Sequence, residues 1–306
     1  MSAAQTRAAA PRRPFRLGSA WMLVAGVLLA AMGIFVKLGS PHFSSAELVF
    51  YRSLLSVLML LVAVRSQGLS LATPHWKMHL LRSLSGFTAM MLLFYVIGIL
   101  PLATATTLNY TSPLFLVVLT ALVMRQRIPG GLALAVVLGF VGVLLLLRPT
   151  FSANQTAAGL LGLASGFFGG MAFLSNRRLG ELGEPAWRVV LYLSLVGTLG
   201  AGLFATVTGF HAFGLQGALI LLGLGTCAVL GQLAMTQAYS EGEALTVGSL
   251  AYSTVVFTVL ASAVIWNEHL PLGSWLAMGL IVTSGVLAIR IAAAAGTARQ
   301  VLTVND

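Results

Sequence analysis

The chain has 306 residues, 58% of them apolar and only 8% charged, and its mean hydropathy is +0.96. Soluble domains carry roughly 25% charged residues, and one core of this size cannot hide so much hydrocarbon from water. A cytosolic enzyme, a secreted domain and a disordered chain are therefore excluded, and a protein seated in a lipid bilayer is expected. The net charge of +10 would suggest nucleic acid in a soluble protein. Here the Lys and Arg residues fall between apolar runs and read as topology signals, so no nucleic-acid partner is expected. The single cysteine, Cys227, excludes a disulfide framework and a thiolate metal cluster built from this chain. No cofactor or metal is expected.

A spanning helix needs about 20 mostly apolar residues. The first 17 residues form a basic tail with Arg7, Arg12, Arg13 and Arg16, and the first apolar run follows at 18–38. Nine more come after it, at 46–64, 79–99, 102–124, 130–148, 157–175, 187–208, 214–238, 244–266 and 272–292. Breakers such as Ser40-Pro41, Leu100-Pro101, Pro129-Gly130 and Leu270-Pro271 separate them. The connections are too short for a soluble domain. The predicted fold is an all-α membrane protein with ten transmembrane helices.

The first run is long and no small-residue cleavage site follows it, so it reads as an uncleaved anchor. Placing the N-terminus in the cytoplasm puts Arg65, Lys77 and Arg82 around one inner loop. Arg125 and Arg127 then mark a second, Arg177, Arg178 and Arg188 a third, and Arg290 and Arg299 the end of the chain. Only Arg148, Lys37 and Arg52 fall elsewhere. This bias predicts that both termini lie inside, with residues 294–306 as a cytoplasmic tail.

The chain also repeats. A shift of 142 carries Thr104 to Thr246, Tyr110 to Tyr252, Phe115 to Phe257 and Pro129 to Pro271. A shift of 141 carries Tyr51 to Tyr192 and Ser53 to Ser194, while Arg52 meets Leu193. Residues 18–153 and 154–293 are therefore expected to be two copies of a five-span unit. Five is odd, so the second copy enters the bilayer from the opposite side. Inverted repeats of this kind build many secondary transporters, with the solute near the midplane between them.

Thr104, Thr107 and Thr111 share one helix face, with Tyr110 at its edge. Their repeat partners are Thr246, Ser249, Ser253 and Tyr252, so every hydroxyl has a hydroxyl counterpart. Such groups donate and accept hydrogen bonds without carrying charge. Facing each other they can bind a polar solute; equally, they can bond their own helices and glue neighbours together. Gln232 and Gln237 in the eighth run are further candidates, because a lipid-facing amide is costly. Phe94, Tyr95, Phe167 and Phe168 read as packing. Gly162, Gly166 and Gly170, four apart in the sixth run, predict a flat face for close helix contact.

Arg52 lies well inside the second run, where a charge is functional by default. It is expected to attract an anionic group, and Glu47, about 140° away on the same helix, is a poor partner for it. No acid falls mid-span, so a carboxylate proton relay has little support, and a facilitator or exchanger fits as well. His75 and His79 flank Trp76 and Lys77 and read as a solvated loop. No phosphate-binding loop is present. Ser165-Gly166 lacks the glycine of a membrane serine protease, since Leu163 stands two before the serine. Catalysis has no residues to carry it, and no enzyme activity is expected.

Two stretches resemble motifs of the EamA-type members of the drug/metabolite transporter superfamily. They are Ala46-Glu47-Leu48-Val49-Phe50-Tyr51-Arg52-Ser53 and the segment from Leu100-Pro101 through Tyr110-Thr111-Ser112-Pro113. The resemblance implies a ten-helix basket with a central cavity, alternating access and residence in the inner membrane. It also implies a small organic solute, such as an amino acid or a nucleoside- or vitamin-like compound, with export as the direction. Oligomeric state stays open. A non-transporting scaffold or accessory membrane protein is the alternative. Two departures stand out: Gln126 replaces a glutamate that Glu268 keeps in the second half, and Val255 replaces the counterpart of Pro113. The second departure predicts a kink in span 4 that span 9 lacks.

Overall fold

Helices that are apolar nearly all round suit a bilayer, where each backbone group must find its partner within its own segment. The computed structural model describes residues 17–123, 130–147, 153–241, 250–267 and 271–304, and these contain helix and no strand. The helices are α1 (Leu17–Gly39), α2 (Ser45–Ser66), α3 (Trp76–Ile99), α4 (Leu102–Asn109), α5 (Ser112–Val123) and α6 (Gly130–Leu147). After them come α7 (Ala153–Glu181), α8 (Ala186–Thr208), α9 (Leu215–Glu241), α10 (Ser253–Ile265) and α11 (Leu272–Val304). Six are long and apolar enough to cross a membrane: α1, α2, α3, α7, α8 and α9. Ser253–Ile265 and Leu272–Leu287 are shorter apolar helices. Beyond the expected end at 292, α11 continues through an alanine-rich stretch that favours helix and holds no proline. Gln126, Arg148, Thr246, Ser249 and Glu268 lie outside the described residues.

Local sequence explains the helix ends. Ser44 opens α2 with a capping box, its hydroxyl accepting from the Glu47 N–H while the Glu47 carboxylate accepts from the Ser44 N–H. Pro101 precedes α4 and Pro185 precedes α8. At the end of α3, the Lys37 ammonium from α1 donates to the carbonyls of Ile97 and Leu100, at 2.9 and 2.8 Å. A cation there also complements the negative end of the helix dipole.

In packing, α1 lies along α9, α3 along α7, α2 along α8 and α6 along α11, while the short α4 meets both α7 and α10. The distribution of residues is inverted relative to a soluble protein. Large apolar side chains lie on the outside, with Val264 83% and Val207 82% exposed. Inside lie Glu47, Arg52, Ser53, His79, Arg82, Thr104, Thr107 and Ser165. Lipid supplies no hydrophobic force between helices, so close packing and interhelical hydrogen bonds hold such a bundle.

The expected glycine face on α7 receives the broken helix α4–α5. Gly162 faces the Leu108 side chain, Gly166 faces Thr111 and the Leu108 carbonyl, and Gly170 faces Phe115 and the Ser112 carbonyl. Beside it, the Asn109 amide donates to the Ser165 hydroxyl at 2.7 Å, and that hydroxyl donates to the Ala89 carbonyl at 2.9 Å. Ser165 is therefore a tie between α4, α7 and α3. Phe94 is packed in the core, whereas Tyr95 is exposed.

Candidate functional site

The expected asymmetry between spans 4 and 9 is corrected by the structure: both helices are interrupted, and at equivalent positions. In the first, Tyr110 and Thr111 form a turn between α4 and α5. A proline such as residue 113 offers no N–H to a helix. The Thr111 and Leu114 N–H groups make tight bonds three residues back, to Leu108 and Thr111. In the second, Tyr252 is a turn residue just before α10. Val255 retains an N–H but donates it to the Tyr252 carbonyl at 3.0 Å, three residues back. A tightened turn thus interrupts the helix without proline.

The two interruptions meet. The rings of Tyr110 and Tyr252 have centroids 6.0 Å apart and planes at 53°, within the range of favourable aromatic pairs. Tyr252 is buried, and its phenol oxygen fills the space that a side chain on Gly285 of α11 would need.

The remaining candidates are spread around this contact. Thr104 and Thr107 are buried on α4, where the Thr107 hydroxyl donates to the Ala103 carbonyl at 2.8 Å. Thr111 donates to the Leu108 carbonyl at 2.7 Å and presses on Gly166 of α7. Ser253 points the other way, its oxygen 2.8 Å from where a Cβ on Gly26 of α1 would stand. Gln232 is half-buried on α9, one residue past Gly231, which packs on Leu28 and Leu29 of α1. The structure therefore unites the two tyrosines, while Thr111 and Ser253 face different neighbours. A shared helix face fixes direction about one axis, not which helix lies there.

Arg52 is 2% exposed, and its Nε and Nη1 have no hydrogen-bond partner among the described residues. Glu47 is engaged elsewhere, as its position on the helix predicts. Its carboxylate accepts from the His211 N–H at 2.7 Å and lies 2.8 Å from His211 Nδ1.

Two residues that sequence reasoning placed in an inner loop are buried instead. Arg82 is 7% exposed on α3, and its Nε and Nη1 also lack partners among the described residues. Its position six residues past Trp76 is the signal: about 9 Å of helix separates it from the end. His79 is fully buried, 3.3 Å from Glu184 and stacked on Tyr192 at 4.6 Å. Arg188 approaches the same carboxylate at 2.8 Å, and Thr73 donates to it. Burial works against the Glu184 charge, but hydrogen bonds from Thr73, Arg188 and His79 and the Arg188 charge outweigh it. They hold its pKa at about 2, below the ordinary 4.5.

Polar groups inside, hydrocarbon outside and repeat-related helix breaks in contact define a multi-pass helical membrane protein of the transporter class. The model of the EamA-like transporter family matches the chain twice, over residues 16–148 and 156–290, and the protein belongs to that family. The two matches divide the chain into two repeated domains.

Among its relatives is the pseudopaline exporter CntI of Pseudomonas aeruginosa, 28% identical over 281 residues, covering 88% of this chain and 96% of the relative. A riboflavin transporter of Vibrio cholerae is 26% identical over 272 residues, covering 87% and 91%. One solved crystal structure superposes with a TM-score of 0.63 at 17% identity, covering 88% of this chain and 96% of its own, a likeness of fold alone.

Proposed function

We propose that this protein is a secondary transporter exporting a small organic solute, an amino acid or a nucleoside- or vitamin-like compound, across the inner membrane by alternating access. In this reading ten transmembrane helices form two inverted five-helix repeats, with both termini in the cytoplasm. Thr104, Thr107, Tyr110, Thr111, Thr246, Ser249, Tyr252, Ser253, Arg52 and Gln232 serve the solute route.

The observation that carries the proposal is the contact of Tyr110 with Tyr252, two repeat-related residues at two repeat-related helix breaks. Discontinuous helices meeting at the repeat interface are where secondary transporters hold their solutes. The packing pattern supports a two-fold exchange of the halves. Swapping them converts the α1–α9 pair into the α7–α3 pair and returns α2–α8 and α6–α11 to themselves. The outward direction draws on the relative named as an exporter.

Flux of candidate solutes into and out of proteoliposomes tests the reading, with wild type compared against Tyr110→Ala and Tyr252→Ala. Loss of at least tenfold in rate is expected for each variant. Flux unchanged in both removes the tyrosines from the route.

A further inference from the structure

A charge buried without a partner costs several kcal/mol, and this bundle holds two of the same sign. Arg52 of α2 and Arg82 of α3 are both more than nine-tenths buried. Neither forms an ion pair among the described residues. Glu47 is engaged by Ser44 and His211, and Glu184 by Thr73, His79 and Arg188. A snorkelling guanidinium is bathed in water, whereas Nε and Nη1 of both arginines are enclosed.

The helices that carry them pack together, α2 and α3 both lying on α8. Arg52 is seven residues into α2 and Arg82 six into α3, so each sits about two turns inside its own helix. The Arg82 guanidinium folds forward along its helix, toward the bundle middle, and occupies the space a side chain on Gly86 would need. Leu193 of α8 lies 3.0 Å from that same Cβ position. One turn further along α8, Gly197 receives the Ser53 hydroxyl, which is buried and unpartnered among the described residues. The junction of α2, α3 and α8 thus holds the Arg82 guanidinium and the Ser53 hydroxyl, with the buried Arg52 next to Ser53 in the chain. Like charges do not gather in a dry interior for stability. An oxyanion between them would neutralise both and accept from their free N–H groups, the strongest class of hydrogen bond available here.

We propose that Arg52 and Arg82, with Ser53 beside them, bind the carboxylate or phosphate group of the transported solute, making this a carrier of small organic anions. The assignment rests on the transport reading above and adds the solute class. Leu193 occupies the Arg52 position in the second repeat, so the charged site belongs to the first half alone.

The test uses the full chain in phosphatidylcholine nanodiscs. Melting temperature is followed against succinate, citrate and inorganic phosphate, with putrescine and glycerol as cationic and neutral controls. A ligand that binds only the folded form raises it. At least one anion is expected to stabilise wild type while the controls do not. Arg52→Gln and Arg82→Gln should each weaken apparent affinity at least tenfold, with partial recovery in the Lys variants. Gly86→Ala keeps the charge but displaces the Arg82 guanidinium, and a several-fold weakening is expected there. Should the Gln variants fail to fold, the Lys and Gly86→Ala variants decide the matter. No stabilisation of wild type by any anion, or equal stabilisation in the variants, overturns the site. Stabilisation by phosphatidylglycerol discs alone makes a lipid headgroup the occupant and overturns the solute assignment. Proteoliposome flux separates the two readings. A solute carried at wild-type rate by both Gln variants sinks the anion site and leaves transport standing. Arginine-dependent binding with no flux of any solute does the reverse.

Discussion

The Thr111 hydroxyl lies in the space that a side chain on Gly166 would fill, and the Leu108 carbonyl is 2.9 Å from the same Cβ position. The broken helix α4–α5 is seated against bare backbone of α7 at its break. Gly166→Ala forces backbone as well as a side chain to move, an overpacking that costs about 1–3 kcal/mol. Gly180 on the same helix has nothing within 4 Å of its Cβ position. There alanine is expected to stabilise by about 0.5–1 kcal/mol through helix propensity. Opposite shifts in melting temperature check the pair, and equal shifts rule out a seat at Gly166.

The Tyr252 ring rests on Gly285, so the two positions should be energetically coupled. Gly285→Ala alone must displace a buried ring and is expected to cost about 1–3 kcal/mol. In a Tyr252→Ala background the obstacle is gone, and the same substitution should cost almost nothing. A double-mutant cycle on melting stability measures the difference. Additive costs mean that Tyr252 does not occupy the space beside Gly285.

Glu184 gives the structure a defined acid response. Its pKa lies at about 2, depressed from 4.5. A depressed carboxyl stabilises the fold above its ordinary value, and the contribution disappears as pH falls through the folded value. Wild type should therefore exceed Glu184→Gln in stability by about 1–3 kcal/mol at neutral pH, the scale of hydrogen bonds to a charged group. That advantage should shrink between pH 4.5 and pH 2. Parallel melts of the two proteins across this window check it. A constant gap means that the Thr73, His79 and Arg188 contacts do not favour the ionised form.

Much of this architecture is legible in the residues. Apolar run length marks where helices fall, and the recurrence of Tyr110 at Tyr252 pairs the two spans whose rings meet. The interruption before Val255 is not legible, because tightened i→i+3 bonding needs no proline and leaves no composition signal. Nor is the union of His79 with Glu184, which spans 105 positions of sequence. Periodicity gives a side chain its direction about its own axis and says nothing of the helix it meets. Arg82 escapes for another reason. A basic residue two turns from a helix end looks the same whether it reaches for water or folds back over a glycine.

Lys37 shows the same ambiguity resolved the other way, since a lysine near a span end also reads as a snorkelling residue. It instead joins α1 to the end of α3 through the carbonyls of Ile97 and Leu100. These are among the terminal carbonyls that no N–H within the helix can satisfy. Lys37→Met keeps much of the apolar stem but removes both charge-assisted bonds and leaves the carbonyls unpaired. The expected cost is about 1–3 kcal/mol, with substantial recovery in Lys37→Arg, because a guanidinium also carries charge and several donors. A purely snorkelling lysine predicts a different result. Methionine would then be neutral or stabilising, since it suits the apolar surroundings and carries no charge to solvate. Melting temperatures of the two variants in phosphatidylcholine nanodiscs decide between these outcomes, and a neutral Lys37→Met would show that α3 does not depend on this cap.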